Sequence, residues 1–262
     1  MENSFYIKRC FELARLGAST ISPNPMVGCV IVNNFDEIIG EGFHANYGGP
    51  HAEVNAIASV KSKEQLKTAT LYVNLEPCSH FGKTPPCADL IISNKIPKVV
   101  ISNPDPFEKV AGKGINKLRA AGVEVISGIL KKEGKELNKR FFTYQINKRP
   151  YIILKWAQTL DGFIDKQWDE GTRPNKPTWI TGQHLKTLVH KWRAEEDAII
   201  VGTTTARNDN PQLNVREVVG KNPLRIVLDR NLTLPSSLSL FDGSTDTIVF
   251  TEKNNAVYKT FL

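Results

Sequence analysis

The sequence has no run approaching the ~18 consecutive apolar residues that a membrane-spanning helix needs. Its first stretch, MENSFYIKRCFELARLGA, has no basic segment leading into an apolar run and so does not read as a secretory signal. Together these absences lead us to expect a soluble, cytoplasmic protein. Cysteine is scarce. Cys10, Cys29, Cys78 and Cys87 are too few to form a disulfide scaffold in a chain of 262 residues. No Gly-x-Gly-x-x-Gly occurs. The nearest run, Gly112-Lys113-Gly114, lacks the third glycine, so a Rossmann-type dinucleotide site is not supported. There is no internal repeat and no low-complexity tract. What remains is globular: 40% hydrophobic and 23% charged residues rule out a disordered tail or a fibrous rod. The length suits one large domain or two compact ones.

The charge of +7 is uneven. Residues 1–150 hold 20 Lys and Arg against 14 Asp and Glu, a net +6, whereas the rest hold 14 against 13, a net +1. The excess concentrates in Lys131, Lys132, Lys135, Lys139, Arg140, Lys148 and Arg149. Such a run attracts phosphate, on a nucleic acid or a small substrate, or it is simply a solvated helix face leading into a linker. Aromatic residues do not alternate with these charges, which disfavours a single-strand nucleic-acid surface.

Hydrophobic periodicity predicts an α/β chain. In the first part, helices are expected over 5–17, 50–59, 86–93 and 113–121, with one long basic helix over 130–145. Strands are expected over 26–32, 37–43, 71–75, 98–102 and 123–126. The alternation suggests a layered domain with a largely parallel sheet. Asn147-Lys148-Arg149-Pro150 is a polar break ending in proline, which places a boundary between domains 1–147 and 148–262. Beyond it, strands are expected over 151–157, 198–201, 224–228 and 247–251, with an amphipathic helix over 183–196. Cys10 and Cys29 fall within apolar patterns and read as core residues.

The chemistry concentrates around three residues. His51-Ala52-Glu53 opens a helix, Pro77-Cys78 follows a strand, and Cys87 follows Pro85-Pro86 and precedes a helix. One imidazole and two thiolates make a three-ligand zinc site with a position left for water, the pattern of a catalytic rather than structural site. Helix N-termini favour thiolate over thiol. Zinc with two thiolates acidifies water less than a three-histidine site would, so a nearby carboxylate should move protons, and Glu53 is the candidate. His-x-Glu followed by Pro-Cys and a second Cys is the signature of zinc-dependent base deaminases, although eight residues separate the cysteines where two are usual. The intervening Ser79-His80-Phe81-Gly82-Lys83-Thr84-Pro85-Pro86 brings an imidazole and a cation beside the metal, which suits a phosphorylated or strongly polar heterocycle.

These residues, with Ser22-Pro23-Asn24-Pro25-Met26-Val27-Gly28 and Gly42-Phe43-His44, resemble the deaminase domain of the bifunctional riboflavin-biosynthesis deaminase-reductase family over essentially all of residues 1–146. The resemblance implies a cytidine-deaminase-like three-layer domain. It also implies a small phosphorylated pyrimidine substrate, 2,5-diamino-6-(5-phosphoribosylamino)pyrimidin-4-one, whose amino group is replaced by oxygen. His51, Cys78 and Cys87 would hold Zn²⁺, Glu53 would shuttle protons, and Asn24, His44, His80 and Lys83 would contact substrate.

Residues 149–162, 178–181 and 197–216 resemble the family's reductase domain, which implies a dihydrofolate-reductase-like fold using NADPH to reduce the ribosyl group. Lys155, Arg193, Leu213 and Arg216 would line the substrate, and Gln158, Trp179, Thr205 and Asp209 would lie along NADPH. Two arginines suit a phosphate, which they can grip in a planar, bidentate manner. The later acidic residue and Gly-rich stretch of that domain have no counterpart after residue 229, so we expect an incomplete reductase domain with weak or absent NADPH binding. An open sheet edge there would make a second copy a candidate partner. No nucleic-acid or membrane partner is expected. The competing readings are a nucleobase or tRNA deaminase with an accessory C-terminal module, and a basic nucleic-acid-binding protein with a structural zinc. The latter would need a fourth protein ligand.

Overall fold

The computed structural model describes residues 2–81, 85–107, 111–169, 172 and 178–253. The chain divides into two compact units, Met1–Ile152 and Ile153–Leu262.

The first unit carries helices α1 (Asn3–Arg15), α2 (Ala52–Ser59), α3 (Cys87–Ser93), α4 (Lys113–Ala120), α5 (Lys131–Leu137) and α6 (Lys139–Asn147). Its strands are β1 (Gly28–Val32), β2 (Ile38–Phe43), β3 (Thr70–Leu75), β4 (Lys98–Asn103) and β5 (Glu124–Ser127), in the order β2-β1-β3-β4-β5. The sheet is mixed, not largely parallel: β1 runs antiparallel to β2 and β3, and only β3-β4 and β4-β5 are parallel. The turn between β1 and β2 decides the first of these pairings. Asn33 Oδ1 accepts the backbone N–H groups of Phe35 and Glu37, closing a connection far too short for a parallel crossover.

Because β1 is buried on both faces, its alternating side chains supply two cores. Cys29 and Ile31 join Leu71, Val73, Val99 and Ile101 beneath α2, α3 and α4. Val30 and Val32 join Tyr72 and Val100 beneath α1 and Leu137 of α5. This is the expected three-layer arrangement, and Cys10 and Cys29 are core residues in it. Glycine sets how closely one layer approaches. A Cβ on Gly42 would overlap the backbone of Ala52 and Ala56, so β2 can lie directly against the first turns of α2, which bear His51 and Glu53.

The expected long basic helix is broken at Asn138, where φ is −104° and ψ is 27°. The Asn138 amide is committed elsewhere: Oδ1 accepts Met26 N–H at 2.8 Å and Nδ2 donates to Met26 O at 2.9 Å. Two short helices replace one. Lys131, Lys132 and Lys135 point to solvent and Lys139 pairs with Glu136 at 2.6 Å, as a solvated face would.

The second unit contains α7 (Gln183–Glu195), β6 (Ala198–Gly202), α8 (Thr203–Asp209), β7 (Leu224–Leu228) and β8 (Thr247–Phe250), with the three strands parallel in that order. Its core gathers Ala206, Leu213, Val227, Leu234, Leu238 and Leu240. The strand expected over 151–157 does not form. Ile152, Ile153, Leu154 and Trp156 are exposed, and no ladder partner pairs with them among the described residues. Strand propensity without a neighbouring strand to share hydrogen bonds does not make a strand.

Candidate metal centre and its surroundings

Three elements converge on one point. His51 is the extended residue that precedes α2, Cys78 lies on the turn after β3, and Cys87 opens α3. His51 Nδ1 lies 3.2 Å from Cys87 Sγ and 3.5 Å from Cys78 Sγ. The three donor atoms all fall within 4.8 Å of one another. Tetrahedral zinc with bonds of about 2.3 Å to sulfur and 2.0–2.1 Å to nitrogen sets nitrogen and sulfur about 3.5 Å apart. The donor set and its spacing therefore fit zinc, with three protein ligands.

The thiols are poised for it. Cys78 is pushed down to about 4, chiefly by hydrogen bonding from Cys87 and further by His51, against the opposing effect of burial. The same contact and burial push Cys87 up. Without a cation the pair thus holds one negative charge; a dication is what makes both thiolates favourable. The backbone N–H of Cys87 also points at Cys78 Sγ, at 3.3 Å.

Glu53, 3% exposed, sits in the first turn of α2 against this group. Burial, reinforced by the charge of Cys78, raises its carboxyl to about 7. A carboxyl in that range takes up and releases protons near neutrality.

Beside the triad, His44 is 3% exposed and its ring meets that of His51 edge-on, with centroids 5.5 Å apart. Its Nδ1 lies 2.9 Å from Pro50 O and its Nε2 lies 3.0 Å from Asn24 Nδ2. The strand start that follows Asn24 is held from behind. Asn74 accepts Gly28 N–H at 2.7 Å and donates to Met26 O at 2.9 Å, while Asn138 grips both polar groups of Met26. His80 stacks edge-on against Phe107 at 6.2 Å, and its Nδ1 is buried with no partner among the described residues. Lys83 lies outside the described residues.

In the second unit, Arg193 and Arg216 come together around Asn214. Arg193 Nη1 donates to its carbonyl at 2.6 Å, and Arg216 Nη1 donates to its Oδ1 at 2.9 Å. Burial and the Arg216 charge hold Arg193 below its usual range, and its Nε is buried without a partner among the described residues. Leu213 places its side chain in the core. Lys155 and Gln158 lie on the unpaired stretch after residue 150, where Trp156 Nε1 donates to Gln158 Oε1 at 2.8 Å. Trp179 carries the Lys186 ammonium 3.7 Å above its ring. Thr205 is exposed on α8, and Asp209 ends that helix.

Sequence reasoning missed Asn74, Asn138, Glu76 and His190. His190 is 4% exposed and accepts the backbone N–H of Arg216 at 3.3 Å. Only Glu76 carried a signal, its position in Leu75-Glu76-Pro77-Cys78.

The fold and triad define a cytidine-deaminase-like zinc-binding domain followed by a second α/β unit. Residues 1–103 match the family described as the cytidine and deoxycytidylate deaminase zinc-binding region, and residues 150–260 match the RibD C-terminal domain, a dihydrofolate-reductase-like reductase domain. The chain is 47% identical over 235 residues to the riboflavin biosynthesis protein RibD of Actinobacillus pleuropneumoniae, covering 90% of this chain and 60% of that protein. It is 44% identical over 252 residues to RibD of Aquifex aeolicus, covering 95% and 68%. A solved Thermotoga maritima structure, described as a diaminohydroxyphosphoribosylaminopyrimidine deaminase/5-amino-6-(5-phosphoribosylamino)uracil reductase, superposes with a TM-score of 0.87 at 45% identity. It is matched over 97% of this chain and 70% of its own. The chain belongs to the RibD family. It spans 60–68% of the length of the two curated relatives. No helix among the described residues is long and apolar enough to cross a membrane.

Proposed function

We propose that this chain acts in riboflavin biosynthesis: residues 1–147 deaminate 2,5-diamino-6-(5-phosphoribosylamino)pyrimidin-4-one, and residues 148–262 belong to the reductase that acts on the resulting 5-amino-6-(5-phosphoribosylamino)uracil with NADPH. The observation that carries this reading is the buried Glu53 carboxyl placed in the first turn of α2 beside the His51, Cys78 and Cys87 donor set. Zinc bound by those three residues would supply a Lewis acid that makes water nucleophilic near neutral pH.

The chain's own residues do the rest. Glu53 passes on the protons of the attacking water, one to the ring nitrogen and one to the departing amino nitrogen, so that water and the aminopyrimidine become a ring carbonyl beside an N–H, and ammonia. Pro50 O can only accept, so His44 Nδ1 carries the proton and Nε2 accepts from Asn24 Nδ2. With Nδ2 turned to His44, Asn24 Oδ1 is the atom to accept from an N–H on the pyrimidine. By its place in the family motif, His80 contacts the base, ribose or phosphate, and the same role falls to Lys83 by motif alone. In the second unit, Arg193 and Arg216, converging on Asn214, anchor the substrate phosphate together with Lys155 and the Leu213 segment. Gln158, Trp179, Thr205 and Asp209 lie along NADPH.

The test is ammonia release from the diaminopyrimidine phosphate by the zinc-loaded chain, with cytidine and tRNA as controls, followed by NADPH oxidation with the deaminated product. Turnover of cytidine or tRNA in preference to the diaminopyrimidine would overturn the reading. A nucleobase or tRNA deaminase with an accessory module leaves the similarity to the RibD C-terminal domain over residues 150–260 without an explanation.

A further inference from the structure

We infer that Glu76 is a positioning residue for the metal centre: it latches the Cys78 turn onto the N-terminus of α4 and so fixes where the Cys78 thiolate stands. Glu76 lies two residues before Cys78 and is 4% exposed. Its carboxylate accepts three backbone N–H groups: those of Asp105 at 3.1 Å and Gly112 at 3.0 Å on Oε2, and that of Ile115 at 3.1 Å on Oε1. Two of these donors belong to the start of α4, whose dipole and open N–H groups favour a carboxylate there.

The latch is reinforced by contact. A Cβ on Gly114, in the first turn of α4, would overlap the Pro77 carbonyl oxygen, so the Pro77-Cys78 turn lies directly on the helix. Proline fixes its own φ, which leaves few free torsions between the Glu76 carboxylate and the Cys78 side chain. A displacement at Glu76 therefore reaches Cys78 Sγ with little loss. From the other side, Cys78 O accepts Ala88 N–H at 3.0 Å and its Sγ faces the Cys87 N–H at 3.3 Å. Cys78 is thus gripped between α4, through Glu76, and α3. The Asp105 link extends the latch. The Asp105 carboxyl accepts Phe107 N–H at 2.7 Å, and the Phe107 ring supports His80.

The inference rests on the metal centre and not on any substrate, so it can fail independently of the proposed reaction. The test compares three forms of the full chain: wild type, Glu76→Gln, and Leu118→Ala as a core truncation in the same helix. Glutamine has the same shape, but its NH₂ must face at least one of the three N–H donors. Zinc affinity is measured by chelator competition. Cobalt-substituted protein is read by its sulfur-to-metal charge-transfer and d–d bands, which report thiolate ligation and geometry. Thermal midpoints give folding separately. We expect Glu76→Gln to lose about 10-fold or more in zinc affinity, in the range for residues that orient metal ligands, and to shift the cobalt bands. Leu118→Ala should keep both while lowering the midpoint. If Glu76→Gln lowers the midpoint but leaves affinity and bands as in wild type, the latch is an ordinary stabilising contact and the inference is overturned. If Glu76→Gln does not fold, Gly114→Ala carries the same test. It keeps the carboxylate but pushes the Pro77 carbonyl away, and unchanged bands and affinity there would overturn the inference equally.

Discussion

Asn24 donates to Nε2 of His44 across 3.0 Å, and His44 can accept only because its other nitrogen is committed to Pro50 O. One amide and one imidazole thus fix each other's orientation beside the metal ligands. Asn24→Ala should leave zinc in place and cost about 1–2 kcal/mol in kcat/KM for ammonia release, roughly 5- to 30-fold. An unchanged kcat/KM would remove Asn24 from the substrate wall.

Glu53 makes a sharper demand. Glu53→Gln keeps the shape and removes the proton-accepting charge from a site where burial has raised the carboxyl to about 7. Zinc content should match wild type, and ammonia release should fall by about 10²–10⁴-fold. Atomic absorption and a coupled ammonia assay on the same preparation check both halves. Turnover near the wild-type rate would end the proton-shuttle role.

Removing the metal should have a structural cost. His51, Cys78 and Cys87 hang on three separate elements, the start of α2, the turn after β3 and the start of α3. A shared ion ties these together and binds the folded chain alone, so it stabilises by mass action. Chelation, or Cys78→Ser, should lower the thermal midpoint by several degrees, and only the chelated wild type should recover on adding zinc.

Much of this centre was legible because its residues are close in sequence to strong punctuation. Pro77-Cys78 and Pro86-Cys87 mark strand-to-helix turns, and β1 announces itself as a continuous apolar run buried on both faces. What stayed hidden depends on partners far along the chain. The break at Asn138 exists because its amide binds Met26, 112 residues away. The direction of β1 against β3 is a property of the sheet and not of either strand. Helix α8 opens with three threonines, which are poor helix formers, and Thr203 Oγ1 instead finds Leu228 O at 2.6 Å. Residues 151–157 failed in the opposite sense, with strand composition but no neighbour to pair with.

Asp105 gives the first unit a pH dependence with a definite sign. Burial, and secondarily the neighbouring Glu76 and Cys78, raises its carboxyl to about 7 from an ordinary value of 3.8. A group that binds its proton more tightly when folded adds stability that is fully present below the unfolded value and lost as pH rises through the folded one. Asp105 should therefore cost the fold stability between about pH 4 and 7, with the full cost above that. Asp105→Asn keeps an acceptor for the Phe107 N–H and removes the ionisation. It should raise the folding stability at pH 8, by an amount on the order of a few kcal/mol at most, and show no advantage at pH 4. Equal gains at both values would point to packing instead.

Arg225 makes the corresponding test for the second unit. It lies on β7 with no exposed surface, an uncommon place for a guanidinium. Its Nη1 donates to Gln212 O at 3.3 Å and Ser239 O at 2.9 Å, while Nη2 reaches Asp242 Oδ1 at 3.0 Å and Thr245 O. One side chain therefore ties β7 to the segment before Leu213 and to the turns that lead into β8. Truncation would leave those carbonyls unsatisfied around a new cavity. Arg225→Ala should cost about 3 kcal/mol or more. Because the chain divides at Ile152 and Ile153, the loss should appear in the unfolding of the second unit. Zinc retention, and the ammonia release proposed for the first unit, should stay at wild-type levels. Hydrogen exchange resolved by peptide separates the two units, and a loss of protection spread evenly over both would refute this division of labour.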